Sequence, residues 1–131
     1  MPERPQDNRL PREGRLPAAL YPGVFDLKKS FPGRYVVLHL GQGSDSPRPQ
    51  LGISTSRRTL PTAVARNRAR RLMREAFRTR QHTLLPGARI VLVARRRMME
   101  DGTLETVSRD FNILCQRAGI LNSLIKPGLQ D

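Results

Sequence analysis

An arginine-rich amphipathic segment between two strand-like runs constrains this chain more than any other feature. Residues 57–80 carry nine arginines and one acidic residue. At about 100° per residue, the apolar side chains fall on one arc of a helix and most arginines on the opposite arc. The pattern predicts a helix over residues 62–84, ended by Pro86-Gly87. Its apolar arc must pack on another element, so the chain has to supply one.

Three short runs predict the strands that this helix covers. Residues 34–40 are β-branched and aromatic, residues 51–56 alternate with a period of two, and residues 88–94 are almost unbroken apolar. The last pattern is typical of a central strand buried on both faces. A second amphipathic helix is predicted at 103–118, with Gly119 as its stop. The order of elements predicts one small α/β or α+β domain, with a βαβ crossover that is right-handed in about 98% of such units.

The ends of the chain are expected to contribute little to this domain. Residues 1–15 mix proline, charge and amides, which predicts a disordered basic segment before a domain at 16–120 and a tail at 121–131. Residues 16–27 have helical spacing of apolar positions. Pro22-Gly23 interrupts it and predicts either two short helical pieces or a kink at Tyr21.

The net charge indicates a polyanionic partner. Lys+Arg number 24 against 11 acidic residues, giving +13 and a pI near 11.6, and 21 of the basic residues are arginine. Arginine binds phosphate with a planar fork, although a high-GC coding bias would also enrich it. The single Cys115 excludes an internal disulfide and a cysteine zinc site. No apolar run is long enough for a membrane span, so we expect a soluble cytoplasmic protein without a membrane partner.

The basic helix face has two interpretations. A solvated charged face normally interleaves glutamates as i, i+4 partners, and only Glu75 is present here. A track for nucleic-acid phosphates explains the arginines better. Asn67 among them can recognise a base edge or a ribose hydroxyl, or it is a plain surface amide.

Other candidate side chains give weaker signals. Tyr21, Phe25, Phe31 and Tyr35 could stack on unpaired bases or belong to the core. The carboxylates are scattered, and neither histidine has a partner at metal or acid/base spacing. We therefore expect no catalytic residue and no metal-binding motif on the protein.

Residues 51–58 (LGISTSRR) and 63–78 (AVARNRARRLMREAFR) resemble the bacterial ribonuclease P protein subunit and its Arg-Asn-Arg signature. The likeness extends over about residues 9–118. It implies an α+β fold with a four-stranded type of mixed sheet and a left-handed βαβ crossover, which replaces the right-handed default. It also implies the non-catalytic subunit of a tRNA-processing endoribonuclease, a ribonucleoprotein hydrolase whose chemistry belongs to RNA and Mg²⁺. The implied partners are ribonuclease P RNA and precursor tRNA, whose 5′ leader is removed.

The resemblance also implies roles for individual residues. Those expected to bind the RNA subunit are Arg57, Arg58, Arg66, Asn67, Arg68, Arg71 and Arg78. Those expected to bind the leader, in a cleft between the first helix and the sheet, are Tyr21, Phe25, Val36, Leu38, Ser54, Arg70 and Arg74.

Three alternatives remain at this stage. The chain could be a general structured-RNA-binding or ribosome-associated protein with no role in cleavage. A basic helix in the DNA major groove is disfavoured, because the apolar face of the helix is needed for the sheet and no dimerisation heptads appear. A protein nuclease would need clustered carboxylates.

Overall fold

The computed structural model describes residue 10 and residues 12–122. Its strands are β1 (Ser30–Pro32), β2 (Val36–Leu40), β3 (Gln50–Ser54) and β4 (Arg89–Ala94). Its α-helices are α1 (Tyr21–Asp26), α2 (Ala63–Arg80), α3 (Arg97–Asp101) and α4 (Leu104–Ala118). Short 3-10 helices lie at Arg12–Gly14, Ala18–Leu20 and Gln81–Thr83.

The strands form one mixed sheet in the order β1-β2-β4-β3. The pairs β1-β2 and β2-β4 are antiparallel, and β3-β4 is parallel. The apolar strand β4 is central, as its sequence predicts. The sheet and its helices confirm the α+β class, and β3, α2 and β4 form the expected crossover unit. The left-handed sense of that crossover stays a prediction.

The two faces of the sheet carry different helices. Even-numbered residues of β2 and β4 and odd-numbered residues of β3 point to the core face, where α2 and α4 pack. The rings of Phe77 from α2 and Phe111 from α4 meet edge to face there, with centroids 6.3 Å apart. The opposite face, called the α1 face here, buries a smaller cluster of Leu16, Val24 and Val91.

Local sequence explains where the two long helices begin and end. The Thr62 hydroxyl accepts a hydrogen bond from the Ala65 N–H at 3.1 Å, which caps α2. Thr103 and Thr106 form a reciprocal capping box at the start of α4. Gly119 ends α4 with φ of 73°, a conformation that favours glycine. Both predicted helices are confirmed, the first with its last turn tightened to a 3-10 helix.

Pro22 does not disrupt the first helical region, because it lies at the start of α1. Ala18–Leu20 is a 3-10 turn that leads directly into α1, so the segment forms two short helical pieces, as expected. Pro22 lies in the first turn of α1. A missing N–H costs little there, because first-turn N–H groups have no partner within the helix.

The described part of the N-terminal segment belongs to the fold, which corrects the expected boundary at residue 16. Leu10 is only 3% exposed and lies in the main core cluster. The Leu16 N–H donates to the Leu51 carbonyl at 2.9 Å, and Arg15 forms a bridge with the same residue. The segment therefore covers the outer edge of β3, which otherwise offers unpaired backbone groups.

The C-terminal boundary is close to the expected one. Leu121 forms an antiparallel bridge with Leu84, and the Asn122 N–H donates to the Thr83 carbonyl at 2.7 Å. The remaining predictions for the two ends fall on residues 1–9, 11 and 123–131, outside the described residues. No helix within residues 12–122 is both long and apolar enough to cross a membrane.

Two short elements were not predicted from the sequence. Strand β1 has only three residues and contains Pro32, which is tolerated because β1 is an edge strand. Helix α3 has only five residues, too few to give a periodic apolar pattern in the sequence.

Asp110 of α4 fixes the connection between β1 and β2. Its carboxylate accepts hydrogen bonds from the backbone N–H groups of Arg34, Tyr35 and Val36, at 3.0, 2.8 and 3.3 Å. A Cβ at Gly33 would lie 2.6 Å from the carboxylate oxygens, so only glycine permits this approach. One side chain thus satisfies three consecutive backbone donors.

We expect Asp110→Asn to lower the free energy of unfolding by about 1.5–3 kcal/mol, since the acceptor loses its charge and one of its two oxygens becomes an NH₂ group. Glu105→Gln is the matched control on the same helix, because its ion pair with Arg109 is exposed. The control should change the free energy by less than about 0.5 kcal/mol. Urea unfolding measures both, and equal effects would contradict the anchoring role of Asp110.

Candidate nucleic-acid interface

Helix α2 buries one stripe and presents arginines on the rest of its surface. The stripe packs into the core and consists of Ala69, Leu72, Met73, Ala76 and Phe77. The helix carries seven arginines and one carboxylate, Glu75. Since the stripe is fixed against the sheet, the directions of the arginines are fixed as well.

Arg66 and Arg68 hold two neighbouring loops. Arg66 donates from one nitrogen to the carbonyls of Leu60 and Pro61, at 3.0 and 3.1 Å. Arg68 donates to the Gly102 carbonyl at 2.8 Å, which ties α2 to the segment between α3 and α4. Both residues are half-buried. Because a guanidinium has five N–H donors, these bonds leave others for a ligand.

Three further residues with an expected role in RNA binding lie on the outermost surface of α2. Asn67 is exposed and accepts a hydrogen bond from Arg70 at 3.0 Å, and Arg71 is exposed beside them. Arg78 is exposed and forms an ion pair with Glu75, whose pKa this hydrogen bond lowers. The Glu75 carboxylate thus neutralises only the far end of the basic surface.

Arg57 and Arg58 lie in the turn between β3 and α2. Both are exposed, and the turn is held by a hydrogen bond of 3.1 Å from the Thr59 N–H to the Ser56 hydroxyl. They adjoin the N-terminal end of α2. The structure therefore brings all seven residues expected to bind the RNA subunit onto α2 and its preceding turn, which we call the α2 surface.

Arg74 lies in a cluster of like charges. Burial lowers its pKa, and repulsion from Arg70, Arg71 and Arg15 lowers it further. Its Nε atom is buried and has no hydrogen-bond partner among the described residues. An anion bound here would relieve this repulsion.

On the α1 face, Tyr21 closes the outer edge of β3. The Ile53 N–H donates to the Tyr21 hydroxyl oxygen at 2.9 Å. A Cβ at Gly52 would overlap the Tyr21 ring, so this glycine is required for the ring to lie flat on the strand. Tyr21 is nonetheless half-exposed.

Phe25 forms the second aromatic contact on this face. Its ring is 37% exposed and meets the His39 ring edge to face, with centroids 4.8 Å apart. Burial lowers the pKa of His39, so its imidazole is neutral at pH 7. Val37 of β2 and Val93 of β4 lie half-exposed on the same face. We call this surface the cleft and define it by Tyr21, Phe25, Val37, His39, Ser54 and Val93.

The structure corrects two of the predicted leader contacts. Val36 and Leu38 are 0% exposed and belong to the main core cluster, so they point to the core face. Successive strand residues point to opposite faces, and the neighbours Val37 and His39 point to the cleft instead. A polar His39 in an otherwise apolar strand was the sequence signal for this register.

Comparisons with known proteins identify the family of this chain. A family model described as Ribonuclease P matches residues 10–119. The ribonuclease P protein component of Pseudomonas aeruginosa is 38% identical over 96 residues, which cover 72% of this chain and 66% of that protein. The protein of the same name from Xanthomonas euvesicatoria is 37% identical over 123 residues, covering 92% and 81%.

Solved structures share the fold. The ribonuclease P protein from Thermotoga maritima matches with a TM-score of 0.69 and 26% identity, over 79% of this chain and 96% of that chain. A Staphylococcus aureus ribonuclease P protein matches with a TM-score of 0.72 and 23% identity, over 83% and 98%.

The chain belongs to the ribonuclease P protein family. The family match begins at residue 10, the residue whose burial extends the fold towards the N-terminus.

In this ribonuclease P protein, Arg70 and Arg74 lie in an arginine cluster near the sheet. Arg70, Arg71 and Arg15 lie close enough to Arg74 to lower its pKa, and Arg15 forms a bridge with Leu51 of β3. Tyr21 contacts the same strand from the α1 face. The structure thus brings Tyr21 and the arginine cluster to the outer edge of β3, although they come from opposite faces of the sheet. Arg15 was missed in the sequence because its segment was expected to be disordered.

Tyr21→Phe is expected to lower the free energy of unfolding by about 0.5–1.5 kcal/mol, because the Ile53 N–H loses its acceptor while the ring stays. Thermal or urea unfolding measures the change. The reference is the wild-type chain, because the other tyrosine, Tyr35, is buried and gives no matched control. An unchanged unfolding midpoint would show that water replaces the hydroxyl without cost.

Proposed function

We propose that this chain is the protein subunit of ribonuclease P, which binds the RNA subunit through the α2 surface and the 5′ leader of precursor tRNA in the cleft. The observation that carries the proposal is the presence of two chemically different surfaces on one domain. One is a face of guanidinium groups, and the other is a strip of aromatic and aliphatic side chains. A general polyanion binder would need only the first.

The α2 surface supports contact with a structured RNA. Its exposed residues include Arg57, Arg58, Asn67 and Arg71, and Arg66 and Arg68 keep free donors next to them. Each phosphate neutralised by an arginine releases counterions, which makes binding dependent on salt. Asn67 offers an amide beside them that can hydrogen-bond a ribose hydroxyl or a base edge.

The cleft supports contact with a single strand. Unpaired bases stack on exposed aromatic rings, and Tyr21 and Phe25 present theirs on the α1 face. Ser54 and His39 add hydrogen-bonding groups to the same surface. Arg70 and Arg74, at the outer edge of β3, would bind the phosphates of that strand. We therefore replace Val36 and Leu38 with Val37 and His39 in the proposed leader site.

The side chains on both surfaces do not fit a resident magnesium ion. Mg²⁺ prefers carboxylate and other oxygen ligands, whereas these surfaces offer guanidinium groups, amides and rings. Among the described residues, no group of three or more His, Cys, Asp or Glu is placed to hold a metal. We propose that hydrolysis of the phosphodiester, with its Mg²⁺, belongs to the RNA subunit, while this chain binds and orients RNA.

Cleavage of a precursor tRNA at low magnesium tests this function. The protein alone, a bacterial ribonuclease P RNA alone, and the mixture are compared. Only the mixture should produce the mature 5′ end efficiently, because the protein supplies leader and RNA-subunit contacts. Tight binding to both RNAs without stimulation would contradict the proposal and indicate a general RNA-binding protein of this fold.

Phe25→Ala should weaken holoenzyme binding to precursor tRNA by about 5–100-fold, as expected for one lost stacking contact of about 1–3 kcal/mol. Binding to mature tRNA, which has no leader, should stay unchanged. Ile113→Ala is a control, because Ile113 is an exposed apolar residue of α4 away from the cleft. Equal losses on precursor and mature tRNA would contradict the leader site.

A further inference from the structure

A basic cavity lies at one end of the sheet, where β3 and β4 end and β2 begins. Its volume is about 630 Å³, within the range of roughly 300–1,000 Å³ that is usual for ligand sites. We call it the end pocket. Its polar lining consists of Arg34, Thr59, Arg95, Arg96, Arg97 and Glu100. None of these residues belongs to the proposed α2 surface or the cleft.

The lining charges of the end pocket are unbalanced. Four guanidinium groups share one lining carboxylate, Glu100, whose closest approach to Arg96 is 4.0 Å. Arg97 is paired with Asp101 in an exposed i, i+4 contact. Exposed pairs of this kind contribute little to stability. A surface that collects four cations around one cavity is suited to a ligand with several negative charges.

Hydrogen bonds to backbone carbonyls hold the walls of the end pocket in place. Arg66 binds the carbonyls of Leu60 and Pro61, in the loop that carries Thr59. Arg68 binds the Gly102 carbonyl, immediately after α3. The pocket is therefore built by the same helix turn that carries the Arg-Asn-Arg segment.

Arg95 forms the third wall. It donates to the Gly33 carbonyl at 2.7 Å through its side chain and to the Tyr35 carbonyl at 2.9 Å through its backbone. The backbone bond continues the ladder between β2 and β4 by one residue beyond Ala94. The end pocket thus lies beside the turn that precedes α2, at the end of the sheet where the cleft residues Ser54 and Val93 are paired.

From this placement we propose that the end pocket binds phosphodiester groups of RNA, between the α2 surface and the cleft. The inference rests on the proposed function and extends it by one site. Planar guanidinium groups bind phosphate oxygens bidentately, and a cavity with four of them can hold more than one phosphate. The phosphates belong either to the RNA subunit or to leader nucleotides beyond the cleft.

The test uses the double variant Arg34→Gln/Arg96→Gln, which leaves the Arg95 anchors intact. The control is Arg109→Gln/Arg117→Gln, which removes the same charge from exposed positions of α4 outside the pocket. Arg109 is paired with Glu105 at i, i+4 as Arg96 is with Glu100. Thermal unfolding verifies that both variants fold. Arg71→Gln reports separately on the α2 surface.

Two measurements identify the source of the phosphates. In the first, protein binding to ribonuclease P RNA is titrated with salt, and each lost contact should lower the slope of log K against log salt by about 0.7–0.9. In the second, holoenzymes bind precursor tRNAs with the shortest leader or with one long enough to leave the cleft. If the pocket variant has a smaller slope than its control in the salt titration, phosphates of the RNA subunit lie in the pocket. A loss confined to the long leader places leader phosphates there.

One outcome would overturn the inference. If the pocket variant matches its charge control in both measurements, whether both lose affinity equally or neither does, the end pocket does not bind RNA phosphate. Failure of the proposed function looks different, because wild-type protein would then not stimulate cleavage by ribonuclease P RNA, whether or not it binds that RNA.

Discussion

The packing of the apolar stripe of α2 against the core face determines the rest of the molecule. Phe77 and Met73 are fully buried there, and Phe77 meets Phe111 of α4. An isolated helix with arginines at i, i+4 positions loses stability through repulsion, so this burial is what keeps α2 helical. It also fixes the rotation of the helix about its axis. The arginines therefore point outwards because Phe77 and Met73 point inwards.

The arginines of α2 combine a structural role with the proposed ligand-binding role. Arg66 and Arg68 use part of their donors to hold backbone carbonyls of two loops, while Arg70 and Arg71 repel Arg74. Substitution of Arg66 or Arg68 would thus change loop geometry as well as charge. For that reason, a substitution of the exposed Arg71 reports more directly on phosphate contact than a substitution of Arg66 or Arg68 does.

Local patterns in the sequence predicted the secondary structure well because their causes are local. Periodicity and stop signals located α2 and α4, and Pro22 divided the first helical region. The expected leader contacts Val36 and Leu38 lie instead in the core, and in VVLHL only His39 breaks the apolar run and indicates which residues face away from it. Contacts between distant residues could not be read from the sequence: Asp110 satisfies N–H groups of residues 34–36, and Leu10 enters the core from a polar segment. The sequence therefore indicated which kinds of surface to expect, but not which residues of β2 contribute to them.

The short length of α1 makes the cleft possible. Six residues of helix cover the α1 face at Val91 and leave Val37 and Val93 half-exposed, whereas the longer α2 and α4 close the core face. Gly52 lets the Tyr21 ring approach β3, so one aromatic residue both seals the edge of the sheet and faces solvent. Because the sheet separates this cleft from the α2 helix, a single strand in the cleft leaves the outermost residues of the α2 surface uncovered. The proposed function, in which one small domain contacts ribonuclease P RNA and precursor tRNA at the same time, depends on this separation of the two surfaces.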